Sequence, residues 1–506
     1  MNYLTDLYNT KYGPIIDIIL QYPGIQQTRP HLVGGAVRDI LLNIEHKTNR
    51  IIGDLDIAIF EKHGPCDLAT FLSKETGFVR QVFKNEGGHK VERLIGPNSE
   101  QIDITQIHTD LNADLLDRDF TINAMAIDIG IQPGELRDPH NFYEDIVYPR
   151  IKQCRDDSFH CDPLRVLRAF RFMAELNAPM EADTCACAKA NNPLSVAPGR
   201  LHHEIMKIFA APHSYIALAE MDRIGLLTKI FPPLEKCKGI KQNHYHKYDV
   251  FGHVILTYLN MEKMLRSIQN EKSYQSWWYK TLHHPIIKDY INVIYPSSTP
   301  RYALIKLAVL LHDIGKPSVE AIKEDGEPSF FGHEDEGRNL VENGLHLLGF
   351  PQYEIDFVAG CVGNHMQPMN LSWNGYDTKA VYRYFRKTGI AALAVLLLSN
   401  VDRLSSCGDE VQKDIEDHEK TITDIFQKYI DKPKLFVNPK PIVNGLQIMT
   451  ELCIGPGKTV GILLDAIMEA TAVGTIKTED EAIGFAKEYL ATMLSDGIKE
   501  SFNIKD

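Results

Sequence analysis

Several features that define other classes of protein are missing from this sequence. Its 9 cysteines include no Cys-x-x-Cys pair, which argues against a disulfide scaffold or a zinc finger and favours a reducing compartment. We find no secretory signal, and no apolar run approaches the roughly twenty residues of a membrane helix; the run at residues 393–398 is much too short. We therefore expect a soluble cytoplasmic protein that does not enter a membrane.

An excess of positive charge is also missing, because the formal net charge is −13. Any nucleic acid must then be bound by local clusters of Lys and Arg rather than by a basic surface. The densest cluster lies between Arg150 and Arg171. A second, at residues 382–387, mixes aromatic and basic side chains and predicts either a base-stacking surface or, with more weight, an amphipathic helix with a solvated basic face.

A glycine turn is the first feature that points to a function. Gly34 and Gly35 separate a short apolar segment from a helical pattern, which predicts a strand, a tight turn and a helix start. Backbone N–H groups and a helix N-terminus at such a turn can face an anion, and Arg38 can add a bidentate contact to a phosphate.

Two aspartates follow in the segment GDLDIAIF. Asp54 and Asp56 alternate with apolar residues, so one strand presents both carboxylates on one face. Such carboxylates repel each other unless a cation lies between them, and Mg²⁺ is the cation that we expect. Asp103, in the alternating segment QIDIT, is either a third carboxylate at this site or a solvent-facing strand residue.

The glycine turn, the helix and the Asp-x-Asp strand together resemble a nucleotidyltransferase palm. The segments GGAVRD and GDLD are similar to the class II branch, which comprises CCA-adding tRNA nucleotidyltransferases and bacterial poly(A) polymerases. LLDRDFTINA resembles the class II motif RRDFTxNA, with Asp117 in place of the first arginine. The resemblance implies that Arg118 contacts the triphosphate, while Asp119 and Asn123 lie near the sugar of the nucleotide. Taken alone, these polar residues fit a helix cap equally well.

A third segment combines one acid with two arginines. Asp162, Arg165 and Arg168 recur every three residues and are predicted to share one side of a helix. A carboxylate can accept a hydrogen bond from the amine of cytosine or adenine, and a guanidinium can donate to the ring nitrogen beside it. The family is understood to select CTP and ATP in this way. Cys161 stands where the family has a glutamate, and a helix-start acid followed by solvated arginines is the alternative.

The second half of the chain contains a set of potential metal ligands on three predicted helices. Imidazole and carboxylate ligands suit Mn²⁺, Ni²⁺, Mg²⁺ or Fe ions. The order His, His-Asp, Asp resembles an HD phosphohydrolase domain, which implies a metal site, and His333 and His365 match the additional histidines that hold a second metal or a phosphate in some members. The four ligands are His253, His312, Asp313 and Asp402.

We expect an α+β fold in which an N-terminal palm with a mixed or antiparallel sheet precedes all-α domains. Arg200 and Glu204 resemble a pair found in the neck of the family.

The segment Gly457-Lys458-Thr459 does not complete a P-loop, because Leu452 occupies the position of the required glycine. This C-terminal segment resembles the tail that holds tRNA in the family. The predicted domains are the palm (1–149), the neck and body (150–235), the HD domain (240–430, with an insertion at about 264–300) and the helical tail (431–506).

The resemblance implies that the protein adds CMP and AMP to the 3′ end of tRNA, with CTP and ATP as substrates, and that its HD domain hydrolyses a phosphoester such as a 2′,3′-cyclic phosphate. Mg²⁺ is expected in the palm and a divalent transition metal or Mg²⁺ in the HD domain. Three alternatives stay open: an enzyme that adds only CC, suggested by the short run between Asp103 and Asp114; a poly(A) polymerase; and a phosphohydrolase with an inactive, RNA-binding palm. The sequence does not define the oligomeric state.

Overall fold

A computed structural model describes residues 3–60, 66–84, 90–98, 100–107, 110–270, 279–406, 412–431, 433 and 441–502. The chain divides into two compact units, Met1–Leu226 and Leu227–Asp506. Each has its own core of buried apolar residues.

The first unit is built on a seven-stranded mixed sheet of strand order β3-β4-β5-β2-β1-β6-β7. The β2 and β5 strands are parallel, and the other neighbouring pairs are antiparallel, as the predicted mixed palm sheet requires. The strands are β1 (His31–Val33), β2 (Leu55–Ile59), β3 (Val79–Lys84), β4 (Lys90–Ile95), β5 (Gln101–Gln106), β6 (Ala126–Asp128) and β7 (Leu136–Arg137).

Helices surround this sheet and form the rest of the first unit. The apolar pattern of residues 1 to about 31 predicts one helix, but the structure has three short helices there, because Gly13 and the Pro23-Gly24 pair interrupt the pattern. Gly87 and Gly88, which predict a hairpin, lie outside the described residues. The helices are α1 (Thr5–Tyr8), α2 (Gly13–Leu20), α3 (Ile25–Thr28), α4 (Gly35–His46), α5 (Cys66–Thr76), α6 (Leu111–Leu116), α7 (Glu144–Val147), α8 (Ser158–Cys161), α9 (Leu164–Leu176), α10 (Ala182–Ala190), α11 (Pro198–Ala210) and α12 (Ser214–Arg223), with 3₁₀ turns at Thr121–Asn123 and Pro193–Ser195.

Where the structure describes it, the second unit is helical apart from one small hairpin. Its elements are α13 (Leu227–Ile230), α14 (Pro233–Cys237), α15 (Val250–Asn270), α16 (Tyr279–Leu282), α17 (Pro285–Ile291), α18 (Arg301–Leu311), α19 (Lys316–Val319), β8 (Ala321–Ile322), β9 (Pro328–Ser329), α20 (His333–Leu347), α21 (Gln352–Val362), α22 (Gln367–Asn374), α23 (Thr378–Thr388), a 3₁₀ turn (Gly389–Ala391), α24 (Ala392–Ser405), α25 (Gln412–Asp431), α26 (Gly445–Leu452), α27 (Lys458–Ala472) and α28 (Glu479–Phe502).

The core of the second unit is made by α15, α18 and α24, which pack against one another. Residues 378–405 have the length and composition that a membrane span requires, but 78% of their most apolar window is buried inside the protein. The helices of this stretch, α23 and α24, therefore bury their apolar side chains inside the protein. Within the predicted insertion, α15 continues to Asn270 and Ile287 is fully buried, while Trp277 and Trp278 lie outside the described residues.

The basic face of α23 packs against the helical tail. Arg383 lies 2.9 Å from Glu469 of α27, and Arg386 lies 2.7 Å from Asp465 of the same helix. Tyr382 is buried with its aromatic neighbours on the opposite face. The structure therefore has the amphipathic helix that the sequence favoured over a base-stacking surface at residues 382–387.

Candidate functional site

The carboxylates of the Asp-x-Asp segment lie at the centre of the seven-stranded sheet. Asp56 is on β2, and Asp54 immediately precedes that strand. In the parallel pair of β2 and β5, Asp56 is directly opposite Asp103. Asp103 in turn forms a bidentate ion pair with Arg93, with distances of 2.7 and 2.6 Å. Three carboxylates thus lie together at the adjacent central strands β2 and β5, and one of them, Asp103, is paired with a cation.

Burial and nearby carboxylates raise the pKa values of Asp54 and Asp56. Burial raises the pKa of Asp56 to about 6, Arg118 opposes this shift, and the charges of Asp103 and Asp54 add to it. Burial and the charge of Asp103 also raise the pKa of Asp54. A divalent cation would relieve the repulsion, and the oxygen donors present fit a hard cation.

Gly34 forms the wall opposite Asp56. Its φ is +74°, and a Cβ at this position would lie 2.9 Å from Oδ2 of Asp56 and 3.3 Å from Nη1 of Arg118. Only glycine gives this backbone conformation and this space together. The turn therefore brings the N-terminus of α4, which begins at Gly35, close to the carboxylate and the arginine.

A buried network joins the three sequence motifs. Nε and Nη2 of Arg38 donate to Asp39 at 3.1 and 2.9 Å, and Nη1 donates to Oδ1 of Asn123 at 3.0 Å. The amide of Asn123 donates to Asp119 at 3.1 Å, and Nε of Arg168 donates to the same carboxylate at 2.8 Å. Three of the five N–H groups of the Arg38 guanidinium thus donate to protein groups, and these contacts hold the motifs together.

The charge of Asp119 is stabilised within this network. Burial by itself would raise the pKa of Asp119, but the charge of Arg168 and the hydrogen bond from Asn123 hold that pKa well below its ordinary value. Phe172, for which the sequence predicted no role, contacts the guanidinium groups of Arg38 and Arg168. Its ring centroid lies 5.1 Å from the first and 5.7 Å from the second. Aromatic faces attract cations at such distances.

The predicted base-reading residues occupy the start of α9. Asp162 precedes the helix, which begins at Leu164, so the three residues do not share one helical face as expected. The proline between them ends the preceding short helix and sets the direction of α9. Arg165 is on the helix and donates to Oγ of Ser158 at 2.8 Å.

Arg200 supports Asp162 in place of the missing glutamate. Its Nη2 lies 3.0 and 3.3 Å from the two carboxylate oxygens of Asp162, and the backbone N–H of Leu164 donates to the same carboxylate at 3.1 Å. Cys161 is exposed. The spacing of Arg200 and Glu204 was the sequence signal for the contact between Arg200 and Asp162. Glu204 itself pairs with Arg171 of α9 at 3.2 Å.

The second unit brings six potential metal ligands together in two groups. His253 of α15, His312 at the end of α18 and Asp402 of α24 form the first; Nε2 of His253 lies 2.7 Å from Oδ1 of Asp402, and Nε2 of His312 lies 3.6 Å from it. The second group consists of Asp313, His333 and His365.

Asp313 links the two groups through its two carboxylate oxygens. Oδ2 lies 3.2 Å from Nε2 of His312 and 3.8 Å from Nε2 of His253. Oδ1 lies 3.4 Å from Nε2 of His333 and 3.7 Å from Nε2 of His365. A carboxylate in this position can bridge two metal ions, because each oxygen faces a different set of imidazoles.

Backbone carbonyls orient the imidazoles. Nδ1 of His312, His333 and His365 lies 2.8, 2.8 and 2.7 Å from the carbonyl oxygens at positions 309, 330 and 362, respectively. Such contacts fix Nδ1 as the donor and leave Nε2 free to bind a metal. The backbone of His333 lies against Gly315. A Cβ at position 315 would lie 2.1 Å from the carbonyl oxygen of His333, so this close contact requires glycine.

A cavity of about 550 Å³ opens onto these ligands. Its lining includes Lys316, Lys323 and Arg403 as cations, together with the aromatic side chains of Tyr245 and Trp373. Nζ of Lys316 also donates to Asp313 at 2.6 Å. The cavity can therefore hold a phosphate ester, because its lining provides cations for the phosphate and aromatic side chains for an apolar part.

Three family models match the chain in succession. They are described as Poly A polymerase head domain (residues 30–152), probable RNA and SrmB-binding site of polymerase A (residues 180–238) and HD domain (residues 250–407). The first contains the Asp-x-Asp cluster, and the third contains all six potential ligands of the second unit.

Relatives with assigned activities match over nearly the whole chain. An A-adding tRNA nucleotidyltransferase of Deinococcus radiodurans is 26% identical over 90% of this chain and 95% of its own length. A CC-adding tRNA nucleotidyltransferase of Thermus thermophilus is 25% identical, with coverages of 90% and 92%. The solved CCA-adding enzyme of Thermotoga maritima in complex with tRNA shares the fold, with a TM-score of 0.58, 18% identity and coverages of 96% and 98%. The chain therefore belongs to the family of tRNA nucleotidyltransferases and bacterial poly(A) polymerases, and it carries an HD domain.

Proposed function

We propose that the protein adds CMP and AMP to the 3′ end of tRNA without a nucleic-acid template. The observation that carries this proposal is the cluster of Asp54, Asp56 and Gly34, in which two carboxylates of raised pKa meet a helix N-terminus and Arg118. An acidic cation site next to an anion site is what nucleotidyl transfer requires, since the metal and the triphosphate must be held together.

In this proposal Asp54 and Asp56 hold Mg²⁺. When bound there, Mg²⁺ would lower the pKa of the tRNA 3′-hydroxyl and neutralise the leaving pyrophosphate. The protein's own contribution is placement. The Gly34–Gly35 turn presents backbone N–H groups at the start of α4, and Arg118 lies 3.3 Å from the position of a Cβ on Gly34, so that both can bind the triphosphate.

We assign base selection to Asp162 and Arg165 at the start of α9. The side chain of Asp162 is 27% exposed, so it can accept a hydrogen bond from the amine that cytosine and adenine share. Uracil and guanine place a carbonyl there, and two acceptors would then face each other. We expect Asp119, Asn123 and Arg168 to hold this region in shape beside the sugar, since all three belong to the buried network.

The alternative activities, such as CC addition or poly(A) synthesis, differ in which nucleotides the enzyme adds. Two relatives that match over 90% of the chain are named A-adding and CC-adding tRNA nucleotidyltransferases. Purified protein should therefore be incubated with tRNA transcripts ending before, within and after the CC, together with CTP, ATP or both. Products that grow to CCA from every start support the proposal. Growth that stops at CC, growth only from a CC end, or ladders of AMP would assign one of the narrower activities.

A second candidate function, phosphohydrolysis, is favoured by the bridging position of Asp313. We propose that His253, His312, Asp313 and Asp402 hold a divalent transition metal or Mg²⁺, and that His333 and His365 hold a second metal or a phosphate. A bound metal would supply an activated water for attack on a phosphoester, such as a 2′,3′-cyclic phosphate. Phosphate release should be measured with Mg²⁺, Mn²⁺, Ni²⁺ and Co²⁺, and no release with any of them would make the domain structural.

The proposal also includes where the protein acts. The substrates expected here, tRNA with CTP and ATP, are found together in the cytoplasm, and nothing in the proposed reaction requires a membrane. The tail, including the exposed Lys458 at the start of α27, is proposed to contact tRNA phosphates, because a helix N-terminus and a lysine both favour an anion.

A further inference from the structure

A tyrosine far from the motifs in sequence contacts the segment that carries Asp54. Tyr12 lies between α1 and α2 and is fully buried. Its hydroxyl donates to the carbonyl oxygen of Gly53 and accepts from the backbone N–H of Gln101 at 3.3 Å. One side chain therefore joins the residue before Asp54 to the first residue of β5.

Tyr12 contacts Gly53 and Gln101 just before the first paired residues of strands β2 and β5. The parallel pairing of β2 and β5 starts at Leu55 opposite Ile102, so Asp54 lies just outside it. Gly53 is exposed, and no atom lies within 4 Å of the position of a Cβ there. Without another constraint, this glycine would let the backbone of Asp54 rotate.

Gln101 completes the constraint from the opposite strand. Its side-chain amide donates to Oδ2 of Asp54 at 3.2 Å, while its backbone is held by the hydroxyl of Tyr12. The backbone of Tyr12 is itself fixed, because its N–H donates to Oγ1 of Thr10 at 3.1 Å and its carbonyl accepts from the N–H of Ile15 at 3.0 Å, and the side chain is fully buried. The position of Asp54 is thus defined through Tyr12 and Gln101 together.

We propose that Tyr12 and Gln101 are positioning residues that fix the Asp54 carboxylate for cation binding during nucleotidyl transfer. The inference rests on the proposed function of the Asp54–Asp56 site, and it adds two residues to which no part of the motif points. Neither residue touches the reacting atoms in this proposal. Both act by limiting the orientations of Asp54, and small displacements of a catalytic group carry large costs in rate.

The test compares Tyr12→Phe and Gln101→Met with a matched control. Each change removes one hydrogen-bonding group and keeps most of the side-chain volume. The control is Tyr143→Phe, which removes a hydroxyl that donates to Glu45 in the same unit but at the C-terminal end of α4. All three are made in the full chain, in a background carrying His312→Ala and Asp313→Ala, so that Mn²⁺ binding by the second unit does not interfere.

Two readouts separate positioning from folding. Mn²⁺ affinity is measured by the loss of the free-ion EPR signal in the presence of a nonhydrolysable CTP analogue, and the rate of CMP incorporation is measured against Mg²⁺ concentration. For both variants we expect Mn²⁺ affinity and the maximal rate to fall about three- to tenfold, with less than a twofold change in KM for CTP. The control should match the parent protein.

Unchanged Mn²⁺ affinity in either variant overturns the inference, whatever happens to the rate. A slower rate accompanied only by earlier melting would assign a structural role and overturn it as well. If Tyr12→Phe does not fold, Gln101→Met decides alone, since its side chain lies at the partly exposed start of β5. Failure of the parent protein to incorporate any nucleotide would instead contradict the proposed function, and the Mn²⁺ measurement would still be interpretable.

Discussion

Replacement of Arg200 by methionine should weaken nucleotide selection far more than it weakens folding. Arg200 lies 3.0 Å from Asp162, and the two side chains are 31% and 27% exposed. The variant removes the charged partner but leaves the hydrogen bond from the N–H of Leu164 at 3.1 Å. The carboxylate would then be held at one point instead of three, so its direction towards a base would no longer be fixed.

The two effects differ in size because the pair is partly exposed to water. An ion pair of this exposure contributes about 0.5–1 kcal/mol to folding, which lowers the melting temperature by only a few degrees. A hydrogen bond between a charged carboxylate and a base contributes roughly 1.5–3 kcal/mol, equivalent to about 10- to 100-fold in kcat/KM. We expect Arg200→Met to lower kcat/KM for CTP and ATP by about tenfold, and to lower their advantage over UTP and GTP by a similar factor.

The assay is single-nucleotide incorporation into tRNA that lacks its 3′ end, with each nucleotide tested separately. Asp162→Ala should reproduce the loss of selectivity, and the matched control is Arg155→Met, because Arg155 also pairs with an acid, Asp157, at 2.8 Å. If Arg200→Met melts earlier but keeps its preference for CTP and ATP, Arg200 is only structural. If Asp162→Ala keeps that preference, Asp162 merely caps the helix and the proposed base recognition is wrong.

Three further predictions concern other parts of the two sites. Gly34→Ala should abolish nucleotide incorporation without affecting phosphate release, because the added Cβ would lie 2.9 Å from Asp56; normal incorporation would contradict the proposed geometry. In metal-free buffer, Asp56→Asn should raise the free energy of unfolding by about 3 kcal/mol at pH 7.5 and by little at pH 4. Burial raises the pKa of Asp56 from 3.8 to about 6, so the wild-type protein loses this stability as pH rises through that interval; pH-dependent denaturation checks it. His312→Ala with Asp313→Ala should stop phosphate release while CTP and ATP incorporation continues, and equal loss of both activities would refute the independence of the sites.

Short-range patterns in the sequence were sufficient for the elements that carry the motifs. The alternation around Asp56 gave β2, and the glycine turn gave β1 and α4, because period and turn chemistry are local properties. The histidines and aspartates of the second unit could also be found from their order. The lead-in helix was mispredicted, since an apolar pattern does not show where Gly13 and Pro23 interrupt it.

Only the tertiary structure decided which side chains are partners. The pairing of Asp162 with Arg200 joins the residue before α9 to α11, and the contact of Tyr12 with Gly53 joins segments that are distant in sequence. The hydrogen bond from Arg38 to Asn123 could not be anticipated, because a motif shows which residue is present but not which groups it contacts. Long-range contacts depend on how helices and strands pack. Packing brings together charged residues that are far apart in sequence, and a local hydrophobic pattern carries no information about such pairs.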